Sequence, residues 1–149
     1  MKKNNKNNKG FSLVELIIVI AIMAILIGVL APQYLKFVER SRVSTDKQNV
    51  DEIVRAVEIY AADPETTLAL TDNATVTLNT TDATISGDTS TFVAEALKAA
   101  GFSVDASNKV SGLKLKSSKW TGNQITIVFT NNTTTDGINV TVTPSDAAE

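Results

Sequence analysis

The chain has 149 residues, 43% of them hydrophobic, with 14 basic and 16 acidic side chains, no histidine and no cysteine. That length suffices for one modest domain plus a long helix. Missing cysteines exclude a disulfide framework and thiol chemistry, and a formal charge of −2 offers no basic footprint for nucleic acid.

Met1–Gly10 is a short polar leader carrying Lys2, Lys3, Lys6 and Lys9 and ending in Gly10. Glu15 stands five residues beyond that glycine. Leu16–Ala31, the next 16 residues, contains no charged or strongly polar side chain. Phe11–Leu35 is 25 residues long and is interrupted only by Ser12, Glu15 and Gln33. A hydrocarbon core about 30 Å thick needs about 20 helical residues, so this segment can span a membrane. Four lysines with no acid before Glu15 orient the N-terminus to the cytoplasm and send the chain beyond Gln33 outside.

Three readings compete for this start. A cleaved secretory signal needs a short apolar core and a small-x-small site. The nearby candidate, Val29-Leu30-Ala31, runs directly into Pro32. A plain single-span anchor accommodates the lysines and the apolar run but leaves Glu15 unexplained. A carboxylate at the head of such a run is costly and calls for a reason. The third reading explains Gly10, Phe11 and Glu15 together.

Lys9-Gly10-Phe11-Ser12-Leu13-Val14-Glu15-Leu16, the apolar run behind it and Pro32 late in that run resemble the class III leader of type IV pilins and pseudopilins. The likeness is close over about Lys9–Arg40 and architectural beyond. It implies cleavage by a membrane prepilin peptidase between Gly10 and Phe11, and N-methylation of the new Phe11 terminus. It also implies polymerisation driven by an assembly ATPase and a platform membrane protein. Loss of the leader lysines leaves ten basic against 16 acidic residues, about −6 for the mature chain. Many members close their C-terminal region with a disulfide; this chain departs from that.

Glu15 then acquires an expected role. Cleavage exposes an α-amino group at Phe11, whose ordinary pKa is near 8. A buried unpaired cation and a buried unpaired carboxylate are each expensive. Docking one copy's Phe11 amine on a neighbour's Glu15 removes both costs and sets the axial register of packed helices. The alternative is a Glu15 that merely sits among lipid headgroups.

The helix is expected to continue to Ala62. Val43, Val50, Val54, Val57 and Ala61 recur at helical spacing. Lys47, Asp51, Glu52, Arg55 and Glu58 fill the opposite side, and Asp63-Pro64 ends the run. Gly28 and Pro32 are the positions where it can kink or locally melt.

Glu65–Thr91 holds ten threonines in 27 residues and reads mostly as surface loop, with a short strand at Thr75–Leu78. Ser90–Ala100 reads as a second helix with Ser90 as N-cap, Gly101 in the left-handed C-terminal position and Phe102 packing beyond it. The C-terminal third reads as three antiparallel strands. These are Leu113–Lys116, Gln124–Thr130 in a middle position, and Ile138–Thr143 stopped by Pro144, with turns at Trp120–Asn123 and Asn131–Gly137. Trp120 is expected to be a partly buried packing residue.

No cluster has metal-ligand spacing. Asp136, Asn139 and Asp146 could hold calcium, but loop acids are ordinarily solvated. Five N-x-S/T sequons, at Asn73, Asn79, Asn131, Asn132 and Asn139, are what a threonine-rich chain gives by chance. No Ser/His/Asp set or phosphate loop is present. No enzyme activity, cofactor or metal is expected.

The expected fold is α+β: a long N-terminal helix, apolar then amphipathic, packed on a small antiparallel sheet, with a short helix between them. The expected divisions are a leader at 1–10, a transmembrane and fibre-core segment at 11–35, and an extracytoplasmic head at 36–149. The expected function is a structural subunit, the major pilin of a surface type IV pilus serving adhesion or motility. Its partners are itself in a helical homopolymer, the peptidase, the assembly ATPase and platform protein, and the membrane. A pseudopilin of a type II secretion or DNA-uptake machine, or a monomeric membrane-anchored binding module, remain alternatives.

Overall fold

The computed structural model describes residues 10–88, 91–132 and 137–147. Two compact units divide between Val38 and Glu39. The first contains the apolar part of helix α1 (Leu13–Ala62). The side chains of Leu13–Phe37 are exposed around its whole circumference. An 18-residue window of α1 is apolar enough to cross a membrane.

The second unit contains the remainder of α1, a five-stranded antiparallel sheet and helix α2 (Phe92–Ala99). The strands are β1 (Ala74–Asn79), β2 (Ala83–Ser86), β3 (Lys109–Val110), β4 (Gln124–Asn132) and β5 (Gly137–Thr143), in the order β3-β2-β1-β4-β5. Thr121–Asn123 is a turn with Gly122 and Asn123 at positive φ, and a single-turn 3-10 helix occupies Ser145–Ala147.

The core lies between the two helices and one face of the sheet. Val50, Ile53 and Val57 come from α1; Phe92, Val93 and Leu97 from α2; Val76, Leu78, Ile125, Ile127 and Phe129 from the sheet. The rings of Tyr60 and Phe92 meet edge to face at 5.2 Å, a favoured aromatic geometry. β4 has strands on both sides, as its apolar centre predicts.

Helix α2 closes as the sequence indicates. Gly101 has φ +94° and donates its N–H to Lys98 O, while the Phe102 N–H reaches Leu97 O. This is the left-handed terminus that glycine accommodates without cost. At the other end, Ser90 lies outside the described residues. Thr91 is the capping position and makes no side-chain cap; the Asp88 carboxylate instead accepts the Ala94 N–H at 3.0 Å.

Three expectations need correction. Most of the described threonine-rich stretch is turn and irregular chain, as expected, and β1 covers the strand expected at Thr75–Leu78, but β2 is a further strand beyond that expectation. The two strands form because Ala74, Val76, Leu78, Ala83 and Ile85 face the core while Thr75, Thr77 and Thr84 take the other face. Threonine is β-branched and suits a pleated, half-covered surface. Asn79 makes the turn between these strands, its side-chain oxygen accepting the N–H groups of Thr81 (2.7 Å) and Asp82 (2.8 Å).

Leu113–Lys116 is not a strand. Leu113 and Leu115 are buried as alternation predicts, but Lys116 donates its N–H to a side chain of α1, leaving no strand ladder. Of the five strands, β1, β4 and β5 cover three of the four expected stretches, and β2 and β3 lie outside them. Trp120, expected to be partly buried, is 2% exposed.

Candidate functional site

Gly10, Phe11 and Glu15 come together at the start of α1. Ser12 is the residue before the helix, and its carbonyl accepts the Leu16 N–H at 3.2 Å. The Ser12 N–H donates to Glu15 Oε2 at 2.9 Å. Ser12-Leu13-Val14-Glu15 thus supplies the acidic half of a capping box, in which the third helical residue reaches back to an orphan backbone donor. The S-x-x-E spacing was the sequence signal for this second role of Glu15. Its other oxygen, Oε1, accepts no hydrogen bond among the described residues.

Phe11 is 94% exposed. A Cβ added at Gly10 or Gly28 would meet nothing within 4 Å, so packing within one chain demands glycine at neither position. Pro32 lies inside α1, which runs on through it and through Gly28. These two positions lie 13 and 17 residues beyond Glu15, on the order of 20–25 Å along the axis, remote from the N-terminal cluster.

A second constellation, absent from the sequence reading, ties α1 to the segment 113–120. Asp46 is fully buried. Its Oδ1 accepts the Lys116 N–H at 2.9 Å, and its Oδ2 accepts the Ser117 N–H and the Trp120 Nε1–H, both at 2.8 Å. Two turns earlier, Glu39 Oε1 accepts the Ser117 hydroxyl at 2.6 Å and the Ser118 N–H at 2.8 Å. The Ser117 and Ser118 donors hold the Glu39 carboxyl below its ordinary value of 4.5, because hydrogen bonds to the charged form favour it.

The signal for this clasp lies in the periodicity. Val43, Asp46, Val50, Ile53 and Val57 step by threes and fours, so Asp46 occupies a core position of the helix. A buried carboxylate requires donors, and here two are main-chain groups of a segment whose neighbouring Leu115 N–H reaches Asn79 O of β1 at 2.8 Å.

Of the three polar side chains weighed for calcium, Asp136 lies outside the described residues. Asp146 is ion-paired with Lys119 at 2.6 Å, and Lys119 also lies 4.9 Å from the centre of the Trp120 ring. No His, Cys, Asp or Glu group suited to a metal occurs among the described residues.

The family model for the prokaryotic N-terminal methylation motif matches residues 5–31. The chain carries the prokaryotic N-terminal methylation motif. Prepilin peptidase-dependent protein A of Clostridium perfringens is 37% identical over 86 residues, covering 58% of this chain and 59% of that protein. The type IV major pilin protein PilA of Myxococcus xanthus is 36% identical over 61 residues, 41% of this chain and 28% of its own. The type IV major fimbrial protein FimA of Dichelobacter nodosus is 40% identical over 55 residues, 37% and 35% respectively. The chain thus spans under two thirds of each of these relatives. No solved structure matches. The motif and the apolar half of α1 fit a membrane-anchored precursor of a pilin-like structural subunit.

Proposed function

We propose that the chain is a self-assembling structural subunit, cut between Gly10 and Phe11, methylated at Phe11 and polymerised through Phe11–Leu35 into a helical fibre. The observation that carries this is Gly10-Phe11 followed by Glu15 at the head of an exposed apolar helix, within the matched motif. The leader lysines orient the precursor with its N-terminus in the cytoplasm. Lateral association of Phe11–Leu35 starts from lipid, which is already apolar, so the hydrophobic effect supplies little drive for extraction. An assembly ATPase and a platform membrane protein would supply it.

Glu15 Oε1, which accepts no hydrogen bond among the described residues, is the proposed seat for the Phe11 ammonium of a neighbouring copy, while Oε2 keeps capping its own helix. Gly28 and Pro32 are the proposed points of melting as helices enter the fibre. The packing is heterologous and open-ended, and the heads face solvent in a surface pilus serving adhesion or motility. PilA and FimA, both major subunits by name, support the major-pilin reading.

Mass spectrometry of mature material tests the processing: the expected N-terminus is methylated Phe11, and an intact Met1 overturns it in favour of a tethered monomeric module. Electron microscopy of cells tests the polymer. Long surface fibres containing this chain are expected. Short assemblies confined to the envelope would instead identify a pseudopilin of a secretion or DNA-uptake machine.

A further inference from the structure

The chain is acidic overall, yet its charge is segregated along α1 and the segment clasped to it. From Glu39 to Lys47 and from Lys114 to Lys119 the sequence supplies six cations, Arg40, Arg42, Lys47, Lys114, Lys116 and Lys119, against two acids, Glu39 and Asp46. From Asp51 to Glu65 it supplies five acids and one cation, Arg55. Lys36 adds a further cation just ahead of the first stretch.

Folding sharpens the contrast. Asp46 is buried, and the Glu39 carboxylate is taken up by Ser117 and Ser118. The cations stay outside: Arg40, Arg42, Lys114, Lys116 and Lys119 are exposed, and Lys47 is half-buried. At 100° per residue, Arg40 and Lys47 project from one flank of the Glu39–Asp46 face and Arg42 from the other. The segment carrying Lys116 is bonded across that face, so the cations share one region of the head. Arg42 lies 3.7 Å from Glu39, and Lys119 lies 2.6 Å from Asp146, which also acts on Lys47. Asp82 and Asp105 border Lys114, with Asp82 paired to Lys109 at 2.8 Å. Arg40, Lys47, Lys114 and Lys116 form no ion pair among the described residues.

Chain length limits where this region can be. Leu35 closes the apolar run, and Glu39 follows four residues later. Four residues reach at most about 14 Å. The Ser117 and Ser118 donors bring the clasped segment to the same place. Headgroups extend about 5–7 Å beyond the hydrocarbon on each side of a bilayer. We propose that this basic face, Arg40, Arg42 and Lys47 of α1 with Lys114 and Lys116 of the clasped segment, seats on anionic phospholipid headgroups of the membrane that α1 crosses. It rests on the membrane-anchored reading of the precursor and not on the polymer. The attraction falls off within a Debye length and is weakened by salt. A head seated in this way is held at the bilayer until extraction breaks the contacts.

The full chain reconstituted into vesicles of phosphatidylcholine, or of equal parts phosphatidylcholine and phosphatidylglycerol, tests this. A membrane-impermeant amine-acylating reagent is added, and mass spectrometry reads the rate at each lysine. Lys114 and Lys116 are expected to label several-fold more slowly in the anionic vesicles, and added salt is expected to erase the difference. Lys98, paired with Glu95 on α2, is the internal reference and is expected to keep one rate. Arg40→Gln with Arg42→Gln separates seating from mere nearness to a charged surface. The double variant is expected to bring Lys114 and Lys116 back toward their phosphatidylcholine rates.

Unchanged slowing in that variant overturns the proposal, as do equal rates of the unmodified chain in the two vesicle types. Slowing by duplex DNA added to phosphatidylcholine vesicles, with none from phosphatidylglycerol, assigns the face to a soluble polyanion and also overturns it. Chain that alkaline carbonate washes from both vesicle types overturns the membrane anchor itself. Chain that resists the wash while its lysines label equally overturns this proposal alone.

Discussion

The buried carboxylate of Asp46 accepts the indole N–H of Trp120 at 2.8 Å across 74 positions of sequence. With the Lys116 and Ser117 main-chain donors it fastens the segment 113–120 to α1. Asp46→Ala strands these donors around the buried position of the lost carboxylate. The expected cost is about 3–5 kcal/mol, in the range for breaking a buried charged network. Urea unfolding of the isolated variant and parent chains, followed by the fluorescence of the single tryptophan, measures it.

Glu39 gives the same fastening a dependence on pH. Its folded-state pKa is depressed, chiefly by the Ser117 hydroxyl and the Ser118 N–H. Its contribution is therefore present above the ordinary glutamate value of 4.5 and is lost as pH falls through the lower folded value. Asp82 and Asp146, lowered by Lys109 and Lys119 respectively, act with the same sign. Glu39→Gln is expected to be less stable than the parent at neutral pH and to lose less on acidification. Unfolding midpoints measured across that range check both statements.

Glu15→Gln separates the two roles of that side chain. Glutamine serves at the third position of a capping box as glutamate does, so the helix start is retained. An amide cannot neutralise a neighbour's ammonium. The variant is expected to be cleaved at Gly10–Phe11 normally and to form few or no fibres. Immunoblots of processed subunit, set against the yield of sheared fibres, read the two outcomes. A Glu15→Ala chain that is cleaved and still assembles removes the assembly role.

Gly87→Ala should destabilise the head. Gly87 has φ +75°, and an added Cβ would stand 2.4 Å from the Asn73 carbonyl oxygen. Left-handed strain and a backbone clash together are expected to cost about 1–3 kcal/mol, lowering the urea midpoint. Gly101→Ala, with similar φ and open space around it, should cost less.

The elements with strong local signals were legible in the sequence. Helix α1 ends where Asp63-Pro64 predicts, α2 closes on Gly101, and β4 sits inside the sheet. Threonine hid β2, because a run of polar residues resembles a loop until the alternate Ala and Ile positions are counted, whereas the alternation at Thr75–Leu78 showed β1. Leu113–Lys116 misled in the opposite direction. Alternation reports which side chains are buried, and says nothing of whether the backbone pairs with a strand or with a carboxylate. Of the N-terminal residues, the processing pair Gly10 and Phe11 and the acid Glu15 were visible as a motif. The clasp was not, because its partners Glu39, Asp46, Ser117 and Trp120 lie more than 70 positions apart and meet only in three dimensions.

The Asp46 and Glu39 contacts fasten the latter part of the head without any covalent cross-link. Such a closure needs no oxidant to form and no reductant opens it. A subunit fastened this way can mature in surroundings free of oxygen and emerge with the same fold in aerated ones, its acidity rather than its redox state deciding when it loosens.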